Sequence, residues 1–378
     1  MLNAGRIAQG AAGGLLTPVA MAILFRTFPP QERLKLSRAL ILPIALAPAL
    51  GPIIGGAFVE YASWRFAFFI NLPIGIAALV LAGRSLTKDP GRQQARLDIK
   101  GLLLAGPGFA SLLYALHLGH AEGWGSILVQ GLLWAGVACL ITLVFVEWKQ
   151  PIPLLNFRLY TNPLFRSMSI IMFACAGALL GLLYIFPLMY QQAFGATALE
   201  SGLILFPEAI GLMVASQLMP YSYRRIGPKR IIQIGVLATI FVYILLSQVT
   251  TEMNPWYIRG LCFSVGLFLG HAVGAVQTSA FMTIQNKEMS HATALFQVQN
   301  RLGSAVGVVF LSLLLAIPPD VWNAGSGLQT EAPYRAALLG AAGLLVVAFI
   351  AATFIKKTDA KTAMEKAQQK QAAKKEAS

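Results

Sequence analysis

Residues 47–56 read APALGPIIGG, and residues 64–75 read WRFAFFINLPIG. Ala47, Gly51 and Gly55 recur every four positions, so on a helix they share one face bare of side chains, against which a second helix can pack backbone to backbone. Pro43, Pro48 and Pro52 remove backbone donors and bend such a helix. A helix both smoothed and kinked suits a moving joint between packed helices; simple close packing explains the same residues.

Working outward, composition decides the setting. Hydrophobic residues make up 57% of the 378-residue chain and charged residues 12%, too few polar groups to cover a soluble protein of this length. The chain reads as an all-α polytopic membrane protein in contact with the lipid bilayer. The net charge of +14 raises nucleic acid as a partner, but Lys and Arg fall in short runs between apolar segments, without aromatic or polar readers between them. Nucleic acid is therefore excluded. Cys139, Cys175 and Cys262 lie inside apolar segments and imply neither a disulfide framework nor a metal cluster. No phosphate-cradling Gly-rich loop and no nucleophile with a partner base stands in the sequence, so neither an enzyme nor ATP-driven transport is supported, and no cofactor is expected.

Eleven segments are long enough to cross a bilayer: approximately 5–25, 38–59, 65–83, 101–118, 126–146, 167–190, 200–219, 231–249, 257–284, 292–316 and 335–355. Lys and Arg crowd alternate connections, and the other side holds only Arg65, Arg259 and Arg335. The positive-inside rule makes the rich side cytoplasmic, with the N-terminus outside and the C-terminus inside. An odd number of spans with an external start is explained by a missing front end.

Three motifs carry a resemblance. RIAQGAAGG from Arg6, with Gln9 and Gly10, is similar to the R-x-x-Q-G motif in the fourth helix of major facilitator transporters of the fourteen-helix drug:proton antiporter family (EmrB/QacA type). GPIIGG, with Gly51, Pro52, Gly55 and Gly56, resembles the antiporter motif of the fifth helix. WRFAFFINLPIG, with Trp64, Arg65, Phe68, Ile70, Asn71, Pro73 and Gly75, resembles the opening of the sixth. The resemblance implies a major facilitator fold in which the eleven spans correspond to helices four to fourteen, and helices one to three are absent together with their acidic residue and main gating loop. It divides the chain into 1–83, the remainder of an N-terminal bundle; 84–100, a cytoplasmic linker; 101–147, an additional two-helix hairpin; 148–166, a second connector; 167–355, a C-terminal six-helix bundle; and 356–378, a basic cytoplasmic tail. In the loop MPYSYRRIGPKR, residues 219–230, the second half of such proteins carries a weaker copy of the gating motif. Arg225, Gly227 and Arg230 fit it, but Arg224 stands where an Asp is expected. An ordinary basic connector explains the same loop.

Ionisable groups inside spans are functional candidates because they are costly in lipid. Arg6 belongs to a motif that the resemblance ties to proton coupling, where a fixed cation biases proton release from a nearby carboxylate; it also suits an arginine snorkelling to the outer interface. Glu208 is the one acidic residue well inside a span, just after Pro207, and is expected to be a cavity-facing proton or cation site, the alternative being an acid capping a helix broken at Pro207. His271, in GLFLGHAVGAVQ, serves either proton coupling or a helix-to-helix hydrogen bond. Arg301, with Gln297 and Asn300, is expected to anchor the cytoplasmic end of its span. Tyr184, Tyr190, Gln191, Phe206, Gln277 and Phe281 are candidate cavity contacts for planar, apolar or cationic ligands through stacking, cation–π contact and pliable packing; lipid-facing filling explains them equally.

Together these readings give a proton-coupled efflux antiporter that exports drug-like apolar or cationic small molecules by alternating access, in the inner (cytoplasmic) membrane, with protons as coupling partner and an accessory periplasmic or outer-membrane component as a further expected partner. A non-transporting fragment, a partial subunit and a proton-coupled uptake transporter are the alternatives.

Overall fold

A computed structural model describes residues 5, 7–14, 16, 20, 50, 51, 53–85, 98–123, 125–150, 153, 155–284, 288–316 and 331–355. The expectations placed on Arg6, Pro43, Ala47, Pro48 and Pro52, on most of the first two spans, on the linker between 86 and 97 and on the tail after 355 lie outside the described residues. Among these residues nine longer helices follow one another: α1 (Asn71–Ser85), α2 (Ile99–Glu122), α3 (Ile127–Lys149), α4 (Pro163–Gln192), α5 (Ala198–Ile226), α6 (Pro228–Leu246), α7 (Pro255–Ala280), α8 (Met289–Leu315) and α9 (Ala332–Thr353). Among the described residues eight helical stretches are long and apolar enough to cross a membrane, and α2 adds a shorter apolar run over Ile99–Ala115.

Local sequence explains where these helices begin. Asp98 accepts the Gly101 N–H at 2.9 Å at the start of α2, and Asn162 accepts from Leu164 and Phe165 ahead of Pro163 in α4. Thr197 and Glu200 exchange side-chain and backbone bonds at the head of α5, the reciprocal arrangement that satisfies two otherwise orphaned donors. Gly227, at φ +83°, both ends α5 and starts α6, a conformation that glycine adopts without a Cβ penalty. Pro207 and Pro220 lie inside α5, which runs through both; the helix is not broken at Pro207.

Packing then organises α4 to α9 into two layers. Helices α5, α7, α4 and α8 lie side by side in that order, and α6 and α9 pack behind them, α6 on α7 and α9 on both α4 and α8. The front pairs are set by bare backbone. A Cβ on Gly211 of α5 would strike Phe263 and lie 2.7 Å from the Leu267 N, and one on Gly270 of α7 would lie 2.7 Å from the Ala215 Cβ. Between α4 and α8, Gly177 meets the Gly303 carbonyl at 2.9 Å by the same measure, and Gly307 is pressed onto Gly177. Small residues at such spacing let helices associate where lipid supplies no hydrophobic drive between them.

The layers face different surroundings. On the back, α6 exposes Ile234, Leu237, Phe241 and Ile244, and α9 exposes Leu339, Val346, Val347 and Ile350, as suits lipid. On the front, Gln217 and Tyr221 of α5, Gln277 and Thr278 of α7, and Gln297 and Arg301 of α8 are exposed among apolar neighbours such as Leu203 and Leu218. Polar and charged side chains within a span face water or protein in preference to acyl chains, which suits a front layer turned toward water or further protein.

Helices α2 and α3 form a hairpin of their own, in which a Cβ on Gly136 would lie 2.8 Å from the Leu112 N, and α2 rests on α8. Glu147, 1% exposed near the end of α3, accepts the Leu155 N–H at 3.2 Å and fastens the connector that follows. A 3-10 turn, Phe157–Thr161, then docks on the bundle through Tyr160, whose hydroxyl donates to Gln299 at 2.6 Å.

Candidate functional site

Glu208 lies at the middle of α5 on the face that carries Gly211 and Ala215, and it is 2% exposed. It is enclosed between helices: Gly266 of α7 is pressed against its backbone carbonyl, and Tyr243 of α6 and Cys262 of α7, both fully buried, are within electrostatic reach. The Tyr243 hydroxyl is turned away, donating to the Ala178 carbonyl at 2.9 Å, and the Glu208 Oε1 has no hydrogen-bond partner among the described residues. The expectation of a cavity-facing carboxylate is thus corrected: the small-residue face of α5 that holds Glu208 is the one that packs on α7. The same face was readable from Gly266, Gly270 and Gly274, four residues apart in the sequence, a signal the sequence reading did not use.

His271 is half-buried, and its Nδ1 donates to the Leu267 carbonyl of its own helix at 2.8 Å; among the described residues neither a helix-to-helix bond nor a charge partner is seen there. Arg301 stands on the exposed front of α8, about 15 Å along the axis from His291 at the basic end of the 25-residue span. Gln299, two residues before it, accepts from Tyr160 of the connector at that end.

The candidate cavity contacts separate into three groups. Gln277 and Tyr184 are exposed on the front layer. Phe281 instead belongs to an aromatic cluster at the basic end, with ring centroids 6.5 Å from Phe165 and 5.3 Å from Phe296, where it supports the fold. Tyr190 stacks on Phe186 at 5.8 Å and lines, with Phe194, Glu200, Glu252 and Arg259, a cavity of about 790 Å³ at the charge-poor end. Gln191 donates to Ser201 at 3.0 Å, tying α4 to α5, and Phe206 is half-buried.

At the same charge-poor end the glycine motif meets the bundle. A Cβ on Gly56 would lie 2.7 Å from the Ala198 carbonyl oxygen and 2.9 Å from the Leu199 Cα at the start of α5. Among the described residues nothing lies within 4 Å of that position at Gly51, Gly55 or Gly10, so contact through Gly51 and Gly55 is not seen and the last glycine of the motif makes it. In WRFAFFINLPIG, Arg65 lies over the Trp64 ring at 5.0 Å, Trp64 packs edge-on to Phe68 at 5.8 Å, and Asn71 Nδ2 donates to the Phe68 carbonyl at 3.3 Å; Pro73 falls in the first turn of α1. Gln9 lies in a helical stretch at 7–14.

At the basic end, Arg225 lies over the Tyr221 ring at 4.4 Å and Arg230 is exposed. The sequence reading missed Lys229, whose Nζ donates to the carbonyls of Thr353 at 2.7 Å and Ile355 at 2.6 Å. A cation there satisfies the orphaned carbonyls that end α9 and binds the α5–α6 turn to it.

Comparison with known proteins agrees with this arrangement. The sequence profile of the Major Facilitator Superfamily matches residues 1–308. The chain is 28% identical over 311 residues to an uncharacterized MFS-type transporter, YhcA, of Bacillus subtilis, covering 82% of this chain and 58% of that protein. It is 28% identical over 319 residues to the multidrug resistance protein B homolog of Mycobacterium tuberculosis, with the same coverage. It is 29% identical over 357 residues to the methylenomycin A resistance protein of Bacillus subtilis, covering 93% of this chain and 75% of that protein. The chain therefore spans about 58% of the length of the first two relatives. With a family match over most of the chain and a bundle of helices long and apolar enough to cross a membrane, this multi-pass membrane protein belongs to the Major Facilitator Superfamily.

Proposed function

We propose that the chain is part of a proton-coupled efflux antiporter that exports drug-like, largely apolar small molecules. Its spans correspond to helices four to fourteen of the fourteen-helix drug:proton antiporter family, α2 and α3 being the additional hairpin and α4 to α9 the C-terminal six-helix bundle. The basic end, with Lys229 and Arg230, faces the cytoplasm, as does the C-terminus, and the membrane is the cytoplasmic one. Relatives whose names record drug resistance support the export reading.

The observation that carries proton coupling is Glu208. An ionised carboxylate shut between helices with an unpartnered oxygen is costly, so its charge and the packing of α5 on α7 are linked. Protonation accompanies the closed seam, and release of the proton accompanies contact with water. The Gly56–Ala198 contact joins the motif helix to the head of α5 at the outer end, so the element that carries Glu208 is also the one that closes the external mouth. Bringing Arg6 into this coupling is a further part of the proposal, on the resemblance of its motif.

Efflux of dyes of different charge, ethidium and fluorescein among them, from cells producing the protein tests the reading. Export that stops when the proton gradient is collapsed, and that Glu208→Gln abolishes at equal membrane levels, is the expected result. Export that survives collapse of the gradient, or no export of any dye, removes it.

A further inference from the structure

The back layer carries a stripe that changes character along its length. On α6, Arg230, Ile234, Leu237, Phe241 and Ile244 recur four, three, four and three residues apart, the interval that keeps side chains on one face of a helix. All five are exposed. Over the apolar four lies a groove of about 530 Å³, lined by Ile234, Leu237, Ala238, Ile240, Phe241 and Ile244, with no polar side chain among them.

The two ends of the stripe differ. Arg230 stands in the first turn of α6, two residues after Pro228, and its neighbour Lys229 is fastened to the carbonyls of Thr353 and Ile355 that end α9. The guanidinium therefore belongs to the place where two helices end together. Lys229 is spent on those carbonyls, whereas Arg230 shares the exposed face of the apolar residues that follow it. Past the other end of α6 the exposed residues include the neutral Gln248 and the acidic Glu252. From Ile234 to Ile244 the stripe runs about 15 Å, half of a hydrocarbon core of about 30 Å and so the depth of one leaflet.

We propose that this face of α6 binds an anionic glycerophospholipid of the leaflet that meets the basic end, with its phosphate on Arg230 and an acyl chain in the groove. The guanidinium presents paired donors to phosphate oxygens, and the long arginine stem lets it sit at headgroup level while its helix continues into the apolar layer. A zwitterionic phospholipid offers the same acyl chains, but its phosphate already has its own ammonium group for a partner, so the anionic class is preferred. A second copy of this chain in the same orientation fits less well, because it brings another Arg230 to the same level, like charge to like charge. The inference concerns the back layer and stands whether or not the efflux reading holds.

The test places a reporter in the middle of the groove, Phe241→Trp, in purified protein reconstituted into phosphatidylcholine vesicles. A small fraction of the lipid is either phosphatidylglycerol or phosphatidylcholine with brominated acyl chains, which quench tryptophan on contact; the unaltered protein gives the background of its 6 native tryptophans. Brominated phosphatidylglycerol is expected to quench the reporter about fivefold more effectively, the scale of one arginine beside an anionic headgroup. Adding Arg230→Gln should bring the two lipids level, and Arg230→Lys should keep most of the preference. Arg225→Gln, which removes a charge stacked on Tyr221 at the same end, should leave it intact. Equal quenching with Arg230 in place, or a preference that survives Arg230→Gln, overturns the proposal. An equal loss in Arg225→Gln overturns it too, by reducing the preference to the general charge of that end. Reporter emission that neither brominated lipid reaches shows protein, a second copy included, covering the groove, and equally overturns it.

Discussion

Gly266 of α7 is seated on the backbone of Glu208 of α5, where a Cβ would lie 2.7 Å from the Glu208 carbonyl carbon and closer still to its oxygen. The carboxyl-bearing residue of α5 is therefore held at a point where two backbones touch. Gly266→Val is expected to force the pair apart and lower stability by about 1–3 kcal/mol, the usual cost of overpacking. Thermal unfolding of the purified protein in detergent measures it, and a melting temperature equal to that of the unaltered protein contradicts the close approach.

His271 is expected to be dispensable. Its Nδ1 is engaged with the Leu267 carbonyl one turn back, a bond within its own helix. His271→Leu should leave dye export within about twofold of the unaltered protein, since surface-like substitutions that break no interhelical contact cost little. A loss as large as that of Glu208→Gln returns His271 to the coupling path.

Lys229 closes the end of α9. Removing its two bonds to Thr353 and Ile355 in Lys229→Met is expected to cost about 1 kcal/mol, and amide exchange over residues 350–355 should quicken severalfold while α4 keeps its protection. Unchanged exchange there shows that the carbonyls find other donors.

Tyr160, on the connector outside the spans, gives a pH signature. Burial pushes its phenol up from 10.0 to about 12, while the neutral hydroxyl donates to Gln299 at 2.6 Å. An acid whose folded pKa is raised adds stability that is complete below pH 10 and is lost as pH rises through about 12. Melting temperature should therefore drop more steeply between pH 9 and pH 11, on the order of a degree or two, in the unaltered protein than in Tyr160→Phe. Parallel curves dismiss the effect.

The spans and their alternation were legible in the sequence because both are one-dimensional: apolar runs are counted along the chain, and Lys and Arg mark alternate connections. The azimuth of each residue about its helix was not. Glu208 was assigned to the cavity because an acid in a span invites that reading, yet Gly211 and Ala215 on its own face, and Gly266 and Gly270 opposite, turn it inward. Phe281 was read as a cavity contact, whereas Phe165 of α4 and Phe296 of α8 reach it. Lys229 looked like one more loop cation until the end of α9 was brought beside it.

The contact of Gly177 with Gly303 and Gly307 has a mechanical side. There main chain lies against main chain, and one turn further on the buried Leu311 of α8 keys into the space that Gly181 leaves on α4, where a Cβ would strike it. Sliding α8 along α4 would require that side chain to be lifted out, so the glycine seam is a keyed joint. With α6 tied to α9 by Lys229 on Thr353 and α9 to α4 by the Tyr334 hydroxyl on Gln192 at 2.7 Å, the same glycines that bring the helices close also bind them to shift together.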